Sequence, residues 1–424
     1  MDVARLRVRS KTREHIWFVD FLKEAVVKPV LMVSCALVGA VVLAAVLRVQ
    51  PETPLTAQGM QNLNVPKIPF ESVPNYFKYS ADMNLGEILG VAVNSKGHVA
   101  VLNHPGSATA GPIYGNASTQ LLEFDETGKF VREVGRGVYG FAYVHGLRYD
   151  RYDNLWAVDK AAHTVVKFNP AGYVTLNLGR RPEGPDDPGP EYFRGNGSGG
   201  RGGEAARPPS PHIDGQFRGS TDVAWDSDDN IYVSDGYVNS RVAKFDKHGN
   251  WIKSWGSRGT GGPHGNDNPG QFNTPHNIGV DRQNNVYVAD RGNRRIQVFD
   301  RDGNFQRFIL LNAPFDKTRH PVLGNPAQNQ PDETQPWTIC ITNGATQYLY
   351  TSDQEPGRIY KLTLDGKIVG MLGESGHDLG QFSWIHGLAC PSENTLYVAD
   401  MNNWRVQKLI LHPENAKSSA AANR

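Results

Sequence analysis

Cysteine is scarce in this chain: three in 424 residues, at Cys35, Cys340 and Cys390. So few exclude a disulfide-framed scaffold, and none has metal-ligand spacing. Cys340 and Cys390 fall on equivalent strands of neighbouring repeats at adjacent phases, so their side chains face opposite ways and read as buried free thiols. Excess charge is also missing. Forty-four Lys and Arg against 43 Asp and Glu leave a formal net charge of +1. No basic surplus remains for phosphates, which excludes a general nucleic-acid binder. Long apolar runs are absent apart from one near the N-terminus.

That run, Pro29 to Leu47, carries no charge and is long enough to cross a bilayer as a helix. Residues 1–28 hold seven Lys or Arg against four Asp or Glu, whereas only Arg48 is basic just after the run. The positive-inside rule then keeps residues 1–28 cytoplasmic and exports everything beyond the anchor, taken as 29–48. Ala45-Val-Leu47-Arg48 is a poor small-residue cleavage site, so an uncleaved anchor is expected over a signal peptide. Residues 49–75, with five prolines, read as a spacer. Residues 412–424 read as a disordered tail.

What the chain has in plenty is turn chemistry: 45 glycines and 27 prolines between short runs of Val, Ile and Tyr. Over 76–411 these runs form a sixfold repeat of an apolar strand, a second strand ending in Asp, a third with Arg or Lys, and a fourth. The clearest copy is Phe272-Asn-Thr-Pro-His-Asn-Ile-Gly-Val-Asp281, Asn285-Val-Tyr-Val-Ala-Asp290, Arg294-Arg-Ile-Gln-Val-Phe299 and Asn304-Phe-Gln-Arg-Phe308. The second-strand Asp recurs as Asp159, Asp235, Asp353 and Asp400. Four strands per unit is a propeller blade. The expected fold is all-β, a six-bladed β-propeller preceded by one N-terminal transmembrane helix. The segments resemble NHL repeats, seen most fully at 287–299. The last copy stops after its third strand, and Tyr76-Phe-Lys-Tyr79 is the expected closing strand. A Gly/Pro-rich insertion occupies 181–216.

Three histidines open the first strand of alternate copies: Tyr143-Val-His-Gly-Leu147, Thr274-Pro-His-Asn-Ile278 and Trp384-Ile-His-Gly-Leu388. In a closed ring alternate blades stand about 120° apart, so His145, His276 and His386 converge on the axis. Three imidazoles with an open position suit zinc. One such histidine reads as packing; three in strict alternation, with Leu89, Thr221 and Trp337 between them, leave packing and ligation both open. The face they share also receives Lys160, Gly236-Tyr237, Arg291, Gln354-Glu355 and Met401, because the first two strands of a blade are antiparallel. A phenol at Tyr237 beside a dication can serve as a base, or simply pack at the rim. Arg291 can clamp a carboxylate or form a surface ion pair with Asp290 or Glu355.

Together, Val144-His-Gly-Leu147, Val233-Ser-Asp-Gly-Tyr237, Asn239-Ser-Arg241, Pro275-His276, Val288-Ala-Asp-Arg291 and His386 resemble the peptidyl-α-hydroxyglycine α-amidating lyase family. The resemblance implies zinc on His145, His276 and His386, a catalytic Tyr237 and an active-site Arg291. It implies cleavage of a carbinolamide to a peptide amide and glyoxylate. Three positions depart from the family pattern. Pro105 stands where a second arginine is expected, and Gly387 replaces an acidic residue linked to structural calcium. Val238 replaces a disulfide cysteine. The expected partners are a peptide or small carboxylate substrate and the membrane, with no nucleic acid. The alternative is a non-catalytic scaffold whose loops, 181–216 and 312–335, grip a protein or glycan.

Overall fold

A computed structural model describes residues 65–105, 119–138, 140–180, 212–259, 268–311, 313, 335–353 and 357–412. The expected anchor at 29–48, the segment before it, the spacer through residue 64, most of the 181–216 insertion, Gln354-Glu355 and the tail from 413 lie outside the described residues. Among those described, no helix is long and apolar enough to cross a membrane.

The described strands form six four-stranded antiparallel sheets, and in five of them the strand order follows the chain from the innermost strand outward. The innermost strands are Glu87–Val93, Val144–Tyr149, Asp222–Trp225, Pro275–Val280, Cys340–Ile341 and Ile385–Ser392. Each blade is buried on both faces, which is why its middle strands are apolar throughout yet still divide their side chains by parity. In Val286–Asp290, Val286 and Val288 pack against the third blade, whereas Tyr287 and Ala289 pack against the fifth. Six apolar clusters fill the six blade junctions. One of them joins Val91, Val101 and Leu122 of the first blade to Ala389, Ala399 and Val406 of the sixth. The ring is closed.

The sixth blade takes its outer strand from the N-terminal side, as expected, but the donor is different. Phe70–Ser72 pairs with Arg405–Leu411 in the register Phe70↔Leu411. Tyr76 and Phe77 instead pack their rings on Tyr397 and, for Phe77, Phe124, while Lys78 bridges Lys129. The aromatic run is more valuable as a hydrophobic seal at the closure than as an edge strand. Phe70, Glu71 and Ser72, within the stretch read as spacer, supply the ladder.

Cys340 and Cys390 are joined in a disulfide, contrary to the free-thiol reading. Opposite phase brings these two side chains together instead of separating them. In a propeller one sheet's forward face meets the next sheet's rear face. Equivalent strands of adjacent blades therefore touch through side chains of opposite phase, and Cys340 and Cys390 lie in the same junction cluster with 6.1 Å between Cα atoms.

In five of the six blades an Asp ties the loop after the second strand, and the first blade has Asn103 there. Asp235, Asp290, Asp353 and Asp400 accept from Arg241, Arg295, Arg358 and Arg405 of the third strand at 2.9–3.1 Å. The second blade has Thr164 in that place, and Asp159 accepts instead from the backbone N–H groups of Ala142, Tyr143, Ala161 and Ala162. These ties hold the loops that carry Lys160, Tyr237 and Arg291 at the mouth of the channel.

Candidate metal centre

Each of the three histidines sits at a β-bulge. The pairing register slips between Val144 and Gly146, between Pro275 and Asn277, and between Ile385 and Gly387. A bulge takes one residue out of the ladder and re-aims its side chain, here toward the axis. The imidazoles of His145, His276 and His386 meet there with ring centroids 4.7–5.0 Å apart. One ring nitrogen from each lies within 4.8 Å of the others. All three side chains are buried.

The intervening blades orient the rings. His145 Nδ1 lies 2.9 Å from the Thr221 carbonyl, His276 Nδ1 2.9 Å from that of Trp337, and His386 Nδ1 2.7 Å from that of Leu89. A carbonyl only accepts, so each Nδ1 carries the proton and each Nε2 keeps its lone pair. Leu89, Thr221 and Trp337 are the residues that alternate with the histidines in the repeat. Odd blades supply carbonyls and even blades imidazoles. Burial, reinforced by the charge of Arg291 and, for His145 and His386, of Lys160, pushes the pKa of His386 down to about 3 and holds His145 and His276 well below the usual histidine range. All three are neutral at neutral pH.

His276 Nε2 is buried and has no hydrogen-bond partner among the described residues. A native fold rarely leaves such an atom unmatched without a reason. Three neutral imidazoles with fixed tautomers and inward lone pairs fit a metal ion. Carbonyl-bound Nδ1 atoms are the usual second-layer support for such ligands.

Tyr237 and Arg291 stand at the same mouth. The Tyr237 hydroxyl is 3.2 Å from His145 Nε2, and its ring lies edge-on to His145. Its loop presses against the strand bearing His276: a Cβ on Gly236 would lie 1.9 Å from the Pro275 carbonyl oxygen, so only glycine allows the approach. Burial alone would raise the Tyr237 pKa. The charges of Lys160 and Arg291, with a hydrogen bond from Arg291, outweigh it and hold the phenol below its ordinary value. The Arg291 guanidinium stacks 4.2 Å from the Trp337 ring centroid and 5.4 Å from that of Tyr237. Asp290 is bonded to Arg295 at 3.0 Å. Met401 is buried in the junction between the first two blades.

The far side of the channel is built around a residue the sequence reading did not single out. Arg148 reaches across from the second blade and donates to Asp222 at 2.6 and 3.1 Å, to Asn277 at 2.8 Å and to the Ile339 carbonyl at 2.8 Å. One guanidinium thus ties together four consecutive blades. An arginine and an aspartate on neighbouring innermost strands were the available signal. Gly387 faces the Leu89 carbonyl, where a Cβ would sit at 3.0 Å, and it offers no carboxylate to a cation.

The NHL repeat family model matches residues 272–299. Over 347 residues the chain is 26% identical to peptidyl-glycine alpha-amidating monooxygenase of Mus musculus, covering 77% of this chain and 30% of that protein. It is 25% identical over 393 residues to peptidyl-alpha-hydroxyglycine alpha-amidating lyase 1 of Drosophila melanogaster, covering 83% and 65%. With the probable peptidyl-alpha-hydroxyglycine alpha-amidating lyase pgal-1 of Caenorhabditis elegans it shares 23% over 330 residues, covering 68% and 85%. The chain therefore spans less than a third of the mouse protein. It is a six-bladed propeller with an NHL repeat at 272–299, and it resembles amidating lyases at low identity.

Proposed function

We propose that this propeller is a zinc-dependent lyase of the peptidyl-α-hydroxyglycine amidating type, carried outside the cytoplasm on an N-terminal anchor. The carrying observation is the buried, unmatched Nε2 of His276 beside two further axial imidazoles and a phenol of lowered pKa. An all-nitrogen set of three neutral histidines suits zinc. Bound there, zinc supplies Lewis-acid stabilisation of a developing alkoxide. Calcium has no comparable support, since Arg148 already holds positive charge on the axis and Gly387 lacks a carboxylate.

The chain's own groups divide the rest of the work. Tyr237, as phenolate, takes the proton of the substrate hydroxyl. The O–H electrons form the aldehyde C=O, the C–N bond breaks toward nitrogen, and Tyr237 returns the proton to the leaving amide. A peptide amide and glyoxylate result. Arg291, held by Trp337, binds the substrate carboxylate. The buried rings around the axis keep water from the reacting atoms. The apolar run at 29–47 supports anchoring, and the Cys340–Cys390 disulfide suits an oxidising compartment.

The test is metal content and glyoxylate release for the purified full chain with an N-acyl-α-hydroxyglycine. About one zinc per chain and steady turnover are expected, both lost in His276→Ala. Zinc unchanged by that substitution would overturn the metal site. A zinc-loaded protein that releases no glyoxylate would overturn the lyase reading while leaving the metal site in place.

A further inference from the structure

The mouth of the channel holds two cations. Lys160 follows Asp159, whose four backbone hydrogen bonds set the start of its loop. The Lys160 side chain is buried, with Nζ 4.0 Å from the Tyr143 ring centroid and 5.1 Å from that of Tyr237. Arg291 lies 5.4 Å from the same Tyr237 ring, contributed by the fourth blade rather than the second. Two positive charges from different blades thus lie within 5.1–5.4 Å of the phenol ring. Against these two cations stands the carboxylate of Glu87, which accepts from the Tyr143 hydroxyl at 3.3 Å, so positive charge is in excess and an anionic ligand is what the mouth suits.

We propose that Lys160 is a substrate-binding residue, which together with Arg291 holds the carboxylate of the ligand across Tyr237. The identity of that carboxylate rests on the lyase reading; the anion preference does not. Pro105, on the first blade beside His104, cannot offer a charge, and the His104 ring packs 4.3 Å from the same Tyr143 ring that Lys160 covers. The second cation therefore reaches this side of the mouth from the second blade. Lys160 acts as a point charge with three rotatable donors, whereas a guanidinium imposes a planar fork. The pocket should accordingly tolerate carboxylates in more than one orientation.

The test is calorimetric binding to the full chain as purified, using N-benzoylglycine and its C-terminal amide as an acid and neutral pair. Neither ligand can be cleaved, so turnover does not enter the readout. Wild type is expected to prefer the acid. Lys160→Met should weaken acid binding about tenfold to a hundredfold, leave the amide unchanged and keep the metal content, while Lys160→Arg retains most of the preference. Equal acid binding in Lys160→Met overturns the proposal, as does an acid-to-amide ratio that stays constant while both weaken, which marks a packing role. Failure of wild type to bind the acid at all also overturns it. Selective acid binding without glyoxylate release in the turnover assay would sink the lyase reading and leave Lys160 assigned.

Discussion

Two clusters of buried polar groups share the central channel, and they are built on opposite principles. His145 and Arg148 lie three residues apart on one strand, about 10 Å along the axis. Around Arg148 each charge is answered: Asp222 takes a two-point contact from Nε and Nη2, and Asn277 and the Ile339 carbonyl accept from the same Nη2. Around the histidines the carbonyls answer the outer nitrogens, while the inner ones converge, His145 Nε2 meeting the Tyr237 hydroxyl and His276 Nε2 left without a partner among the described residues. A cluster that serves the fold satisfies itself. A cluster that serves a ligand leaves donor atoms for it.

The comparison breaks most sharply through His276. His276→Ala should abolish metal binding and turnover yet leave the metal-free fold intact, because it removes an unmatched buried atom; metal analysis and thermal unfolding of the same sample check both halves. Next comes Tyr237→Phe, expected to lower kcat by about 10²–10⁴ with little change in metal content, the usual scale for losing a positioned base. Arg148→Met should do the reverse of His276→Ala. It strands the Asp222 carboxylate in the channel and should cost about 3–5 kcal/mol in denaturant unfolding while metal content is retained. If Arg148→Met instead released the metal at full stability, the division between the two clusters would be wrong.

Smaller effects sharpen the same contrast. Cys340→Ser should cost about 2–4 kcal/mol of stability, since the bridge closes a loop of 50 residues between the fifth and sixth blades. Titration gives the last test. His386 has its pKa pushed down to about 3 by burial, against about 6.5 in an unfolded chain. Between those values the unfolded chain binds a proton that the folded chain excludes. Stability of the metal-free protein therefore falls as pH drops from 6.5 toward 3, by about 1.4 kcal/mol per pH unit for this group. His386→Gln should flatten the pH dependence by that amount in unfolding measured between pH 6 and 4.

Much of the site was legible because the repeat supplies a ruler. Equivalent positions in a ring are related by rotation, so three histidines at one phase of alternate repeats meet without further information. Their loops follow from strand direction, which placed Tyr237, Arg291 and Lys160 at one mouth. Side-chain partners across blades were not legible. That Thr221, Trp337 and Leu89 hold the imidazoles through their carbonyls could not be read from side-chain identity, since the backbone oxygen is common to every residue. The Arg148 cluster was missed for a related reason: its members come from four blades and share no local motif.

The closing strand shows the same limit. Phe70-Glu-Ser72 and Tyr76-Phe-Lys-Tyr79 are both short and apolar enough to complete a blade, and only the packing of Phe77 against Phe124 and Tyr397 decides between them. Sequence by itself determined the all-β propeller, the number of its blades and the convergence of His145, His276 and His386, because those follow from periodicity along the chain. Tertiary structure alone decided the Cys340–Cys390 pairing, the closing strand, the tautomers of the three imidazoles and the flanking of Tyr237 by Lys160 and Arg291. These depend on which faces of neighbouring blades touch, and that is set by packing between sheets rather than by order within them.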